Sequence, residues 1–246
     1  MAKLQNAMPA GNALNLSDSS AAHQSGARGK EQVRVAVLVS GNGSNLQSII
    51  DHCETGNLNA TIVCVISNRI DAYALERARK HRIPAFHVDH RAFTDRKSFD
   101  AAVLSLVNEH TAQLIALAGF NRILSNVLLD AFPAAILNIH PALLPSFPGS
   151  HAQRDALEYG VKIAGCTVHF VDSGTDTGPI IAQAAVPVFS SDSEETLSRR
   201  ILCEEHKIYP RVLQLYAEGR IRLDGRKVVI SQETEFSDDF LENPHF

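Results

Sequence analysis

The chain lacks three features that would each have set its class. No stretch of its 246 residues approaches the roughly 18 apolar residues of a membrane span. There is no basic excess. Lys and Arg number 23 against 27 Asp and Glu, a formal net charge of −4, whereas a general nucleic-acid surface needs surplus positive charge. Nor is there a C-x-x-C pair. The four cysteines, Cys53, Cys64, Cys166 and Cys203, lie far apart, and Cys64 and Cys166 fall within apolar runs. They read as reduced structural thiols, not as metal ligands or disulfide partners. A cytoplasmic protein that binds neither nucleic acid nor membrane is the plain reading.

What is present is ordinary for a soluble globular protein: 45% hydrophobic and 20% charged residues. The length fits one α/β domain with extensions, or two small domains. The ends differ from the middle. Residues 1–31 are rich in Ala, Asn, Ser and Gly without periodicity, which predicts a disordered tail. Its few basic residues, Lys3, Arg28 and Lys30, faintly echo a transit peptide but lack the amphipathic pattern, so an added leader or plain tail is the simpler reading. Residues 232–246, QETEFSDDFLENPHF, read as a second, acidic loose end. The folded domain is expected over residues 32–231.

Between the ends, buried runs alternate with amphipathic stretches. Val33–Val39, Ala60–Ser67, Ala85–Val88, Leu114–Ala118 and Ala135–Ile139 read as strands. Asn45–His52, Tyr73–His81 and Arg96–His110 read as helices, the last with Phe99, Val103, Leu106 and Val107 on one face. This alternation predicts βαβ units and a parallel sheet covered on both faces. After Pro141 come a Pro-rich loop, a helix over Ala152–Tyr159, and β-rich runs at Gly165–Val171 and Ile180–Phe189. A long helix over Glu194–Ala217 should break or kink at Pro210, and Ile221–Ile230 around Asp224-Gly225 reads as a hairpin. There is no internal repeat.

Open α/β sheets bind ligands at their strand ends, and two strand ends here carry unusual residues. Ser40-Gly41-Asn42-Gly43-Ser44-Asn45-Leu46-Gln47 follows the first strand and opens a helix. Its glycines permit a tight turn, and free N–H groups at a helix start favour a phosphate. It is neither a full G-x-G-x-x-G nor a Walker loop, since no Lys follows, so it suits one phosphate better than a dinucleotide or triphosphate. A plain capping turn built on Ser44 and Asn45 is the alternative.

The second is Leu137-Asn138-Ile139-His140-Pro141, where period two aims Asn138 and His140 to one face. An Asn amide can donate to a developing oxyanion, and a neighbouring His can move protons. A satisfied structural His is the competing reading. A third candidate is Asp176, in the turn Asp172-Ser173-Gly174-Thr175-Asp176-Thr177-Gly178-Pro179. A carboxylate beside an imidazole favours its charged form and orients it, while simple turn chemistry is the alternative.

Together these segments resemble the phosphoribosylglycinamide formyltransferase family. The similar stretches are VAVLVSGNGSNLQSII, ISNRIDAYALERA, LAGFNRIL, LNIHPALLPSFPG, TVHFVDSGTDTGPII, AQAAVPV and EEHKIYP, spanning about residues 33–223. The N-I-H-P-x-L-L-P core is what transformylases using 10-formyltetrahydrofolate share; the G-N-G-S-N-L-Q loop points to glycinamide ribonucleotide as acceptor. The resemblance implies a Rossmann-like, mostly parallel α/β sheet with helices on both faces and a β-rich C-terminal part. It implies a phosphate-binding N-terminal half and a folate cleft towards the C-terminal part. Folate would be a co-substrate, with no metal required.

By motif, catalysis falls on Asn138, His140 and Asp176. The ribonucleotide falls on Gly43, Ser44 and Asn45 at its phosphate end, and on Leu202, Cys203, Glu204 and Glu205 elsewhere. Folate falls on Arg96, on Asn121, Arg122, Ile123 and Leu124, on Asn138, and on Asp172, Ser173, Gly174, Thr175 and Asp176. Three positions depart from the family pattern: Asn121 where Met is common, Ser150 where Leu is frequent, and Gln153 where some relatives carry His. They bear on ligand affinity and leave the catalytic set intact.

Three rivals remain. A formyltetrahydrofolate deformylase shares the core, but typically carries an N-terminal regulatory domain, too large for the 32 residues before the first strand. A methionyl-tRNA formyltransferase would need a C-terminal RNA-binding domain and a basic surface. A non-enzymatic nucleotide-binding module would leave Asn138, His140 and Asp176 unexplained. The apolar pattern leaves monomer and homodimer both open.

Overall fold

The structure, a computed structural model, describes residues 31–231. Of the tails expected over residues 1–31 and 232–246, all but Glu31 lies outside the described residues. The first half is a βα series: β1 (Val33–Val39), α1 (Ser44–Glu54), β2 (Ala60–Ser67), α2 (Tyr73–Lys80), β3 (Ala85–His87), α3 (Arg96–Glu109), β4 (Leu114–Leu117), α4 (Asn126–Ala131) and β5 (Ile136–His140). Its strands pair in parallel in the order β3-β2-β1-β4-β5. The chain winds outward from β1 to β3 and then returns to the other side of β1. That reversal opens a crevice beyond the strand ends between β1 and β4.

The later β runs become β6 (Ile163–Phe170) and β7 (Ile180–Pro187), separated from β5 by α5 (Ala152–Tyr159). They start no second layer. Both run antiparallel and extend the same sheet to seven strands. The register sets Asn138 of β5 opposite His169 of β6, and His140 opposite Thr167.

Val35 to Val39 are fully buried, as a strand covered on both faces requires. Helix α3 buries Phe99, Val103 and Val107, with Leu106 partly covered. Its start carries the capping box of Asp95 and Ser98. Cys64 and Cys166 are core residues, and burial pushes both thiols up to about 12.

Helix α6 (Glu194–Ala217) runs through 24 residues without the break expected at Pro210. Proline offers no N–H to the carbonyl one turn back. The carbonyl of His206 instead accepts from Ser48 Oγ of α1 at 2.8 Å. One turn of α6 is thereby tied to the helix that follows β1. Fully buried Tyr209 adds a second tie, its hydroxyl lying 3.0 Å from the carbonyls of both Leu117 and Leu137. The described chain closes with the hairpin of β8 (Ile221–Asp224) and β9 (Lys227–Ile230), turned at Gly225 and Arg226. No helix among the described residues is long and apolar enough to cross a membrane.

Candidate active site

A cavity of about 840 Å³ lies beyond the ends of β4 and β5, walled by the β6–β7 loop and α6. This volume is in the usual range for small-molecule sites, about 300–1,000 Å³. Asn138 and His140 both line it, as the period of the strand predicts. Asp176 reaches it from the β6–β7 loop at φ 54°, a left-handed conformation that Asp tolerates better than most residues. Asp172 closes this loop, its Oδ1 accepting from the Gly174 N–H at 3.0 Å and Thr177 Oγ1 at 2.6 Å. Gly178 must be glycine, because a Cβ there would run into the carbonyl of Phe170.

Asp176 is the hub of the polar groups. Its Oδ2 accepts from the Gly149 N–H at 2.8 Å and faces His140 Nδ1 at 3.4 Å. Its Oδ1 lies 3.5 Å from Asn138 Nδ2 and 3.8 Å from His169 Nε2. His140 Nε2 is 2.8 Å from the carbonyl of Phe147, which can only accept, so Nε2 carries a proton. A second proton, on Nδ1, would point at the carboxylate.

His169 is a site residue that sequence reasoning missed. Its Nδ1 donates to the carbonyl of Phe170 at 2.8 Å, which leaves Nε2 to accept from Asn138 Nδ2 at 3.1 Å. Burial lowers its pKa and keeps the ring neutral. The neutral ring holds the Asn138 amide with its NH₂ end inward, and an amide NH₂ has a second hydrogen to give. A signal existed: Thr167 and His169 are polar residues two apart in an otherwise apolar strand, hence on one face.

The loop after β1 departs from the capping alternative. Gly43, at φ 75°, is the residue before α1, and no side chain caps the helix. A Cβ at Gly43 would meet the Ala74 Cβ at 2.5 Å. Ser44 is the first helical residue, and Asn45 turns inward, its Nδ2 donating to Glu205 Oε2 at 2.7 Å. Asn45 Oδ1 is buried without a protein partner. Burial raises the pKa of Glu205, partly offset by that hydrogen bond.

The remaining expected residues divide. Asn45, Leu202 and Glu205 line the cavity. Gly43 and Ser44 stand next to Asn45 in sequence but outside the lining. Cys203 is exposed and Glu204 pairs with Lys207 at 2.7 Å, because residues one or two places from Leu202 leave its helix face. Asn121 to Leu124 line the cavity, with Arg122 stacked on the Phe99 ring at 4.7 Å. So do Asp172, Gly174, Thr175, Ser150 and Gln153. Arg96 and Ser173 instead line a second hollow of about 590 Å³, which shares Leu124 with the first. Among the described residues no cluster of three or more His, Cys, Asp or Glu could hold a metal ion.

The sequence profile described as Formyl transferase matches residues 33–213, and the chain belongs to that family. Within it, phosphoribosylglycinamide formyltransferases are prominent relatives. The Escherichia coli (strain K12) protein of that name is 44% identical over 203 residues, 80% of this chain and 96% of that protein. The crystal structure of glycinamide ribonucleotide transformylase 1 from Symbiobacterium toebii is 53% identical with a TM-score of 0.80, covering 81% of this chain and 94% of that one. A formyltetrahydrofolate deformylase from Pseudomonas syringae is more distant, 32% identical with a TM-score of 0.75, over 81% of this chain and 66% of that one.

Proposed function

We infer that the chain transfers the formyl group of 10-formyltetrahydrofolate to the amino group of glycinamide ribonucleotide, a step of purine biosynthesis carried out in the cytoplasm. The observation that carries this reading is one cavity with two chemically different ends. Asn138, His140, His169 and Asp176 meet at one end. At the other, Asn45 links an uncapped glycine loop to Glu205. A hydrolase needs only the first end; a transferase to a phosphorylated acceptor needs both.

On this reading the ribonucleotide phosphate lies at Gly43, Ser44 and Asn45, and the rest of that substrate meets Leu202 and Glu205. Folate lies along Asn121 to Leu124 and Asp172 to Asp176, with its far end towards Arg96. Cys203 and Glu204 lie outside the cavity lining. The amine attacks the formyl carbon, and the carbonyl oxygen takes the electron pair as the tetrahedral intermediate forms. Asn138 Nδ2, turning one N–H from its long 3.5 Å contact with Asp176, and a doubly protonated His140, turning one N–H from Phe147 or Asp176, donate to that oxygen. Collapse returns the pair, and the bond from carbon to folate nitrogen breaks. His140 gives one proton to that nitrogen and is then recharged by the proton of the amine, through the N–H freed from Phe147 or Asp176 or through a bridging water. Asp176 holds the imidazolium meanwhile.

The test is to mix the protein with formyl-folate, with and without glycinamide ribonucleotide. Formylated ribonucleotide formed only in its presence supports the reading. Formate released without it indicates the deformylase reaction, and nucleotide binding without turnover indicates a binding module.

A further inference from the structure

The glycine loop contains no cation, yet a phosphate monoester carries up to two negative charges and the chain as a whole carries a net −4. The nearest answer comes from α2. Arg77, partly buried, reaches across to the loop and donates three hydrogen bonds: Nε to the Asn42 carbonyl at 2.9 Å, Nη2 to Asn42 Oδ1 at 2.8 Å, and Nη1 to Gln47 Oε1 at 3.2 Å. Its other flank lies over the Tyr73 ring at 4.9 Å. The same helix seals the loop from behind, through the Ala74 N–H to the Gly41 carbonyl at 3.2 Å and the close approach of Ala74 to Gly43.

We propose that Arg77 is a positioning residue for the phosphate of the acceptor substrate: it sets the loop's shape and supplies its positive charge without touching the ligand. The proposal rests on the function inferred above. The Asn42 carbonyl and the Gly43 N–H belong to one peptide unit. A guanidinium donating to that carbonyl polarises the unit and strengthens the N–H as a donor. The grip on both oxygens of Asn42 fixes the turn before Gly43, and the grip on Gln47 fixes the first turn of α1. Asn45, between these anchors, presents the buried and unpartnered Oδ1 that marks this end of the cavity as incomplete without a ligand. Only the planar fork of Arg makes three such bonds while keeping its charge; Lys would keep the charge alone.

The experiment compares wild type, R77M and R77K, following steady-state kinetics with both substrates, calorimetric binding of ribose 5-phosphate, and melting temperature. R77M is expected to raise the KM for the ribonucleotide about 10- to 100-fold, the range for lost bonds to a charged group. Ribose 5-phosphate should weaken in parallel, with kcat and the KM for formyl-folate nearly unchanged. R77K, which retains the stem and charge, should recover part of the affinity. An R77M protein that binds ribose 5-phosphate as wild type does, or that weakens folate equally, overturns the proposal. If R77M does not fold, R77K decides: ribonucleotide affinity equal to wild type overturns it, and a selective loss supports it. Ribose 5-phosphate binding does not depend on formyl transfer. A wild type that binds it through Arg77 but formylates nothing therefore refutes the inferred reaction and leaves Arg77 standing.

Discussion

At the end of the cleft assigned above to the ribonucleotide, eight consecutive residues, Ser40 to Gln47, supply a shape: a glycine turn, a helix start without a cap, and backbone N–H groups. At the formyl end, four side chains arrive from three separate places: Asn138 and His140 from β5, His169 from β6, and Asp176 from the β6–β7 loop. The first end offers mainly backbone groups in a shape that its glycines and helix start set. The second works through particular functional groups, of which Asp176 faces the other three. Damage to the two ends should therefore look different, one in affinity and the other in turnover.

The largest effect is expected from Asp176→Asn. Asn also tolerates the left-handed backbone and keeps the shape, so stability should change by no more than about 1 kcal/mol, as for turn residues generally. The charge facing His140 is gone, and kcat should fall at least about 10²-fold, the scale for a lost catalytic group of this kind. Activity near wild type in a normally melting protein would make Asp176 a turn residue and dissolve the contrast.

Next comes Ser44→Asp. A carboxylate at the start of α1 occupies the same N–H groups and repels a phosphate. The ribonucleotide should weaken about tenfold or more, as a shift of about 1.4 kcal/mol implies, with formyl-folate affinity unchanged. Equal weakening of both ligands would show that the ends are not separate.

Glu205→Gln should act on both stability and binding, in opposite directions. Glu205 is a buried carboxylate that accepts from an amide. The neutral isostere keeps that bond and removes the buried charge, so a gain of about 1 kcal/mol, or about 2–4 °C in melting temperature, is expected. Ribonucleotide affinity should fall. Lower stability with unchanged affinity would recast Glu205 as purely structural.

The smallest effect concerns pH. His169 has a lowered folded pKa, so the unfolded chain takes up its proton first, and stability falls as pH drops through the ordinary His range near about 6.5. Glu205 has a raised folded pKa, so its contribution is lost as pH rises from the ordinary carboxylate range. His169→Gln should flatten the acid-side slope in a denaturant titration, and Glu205→Gln the other. An unaltered slope in His169→Gln would place the ring in contact with solvent.

The strands β1 and β2 match their sequence-predicted bounds because an uninterrupted apolar run has one way to be buried. Helix α5 matches because a short amphipathic stretch ends at a glycine, Gly160, that takes the left-handed cap. The glycine loop and the Asn138/His140 pair were legible for the same reason: their geometry follows from neighbours in the chain. The role of His169 was not, because it depends on β6 turning back antiparallel beside β5. The same holds for Arg77, 35 residues away from Asn42 in sequence. It holds too for the facing-out of Cys203 and Glu204, and for the unbroken helix at Pro210, where Ser48 from another helix answers the stranded carbonyl. Apolar period and turn chemistry are local and write themselves into a sequence. The pairing of a polar group with a distant partner costs nothing that its neighbours record, so it becomes visible only when the sheet order brings the two together.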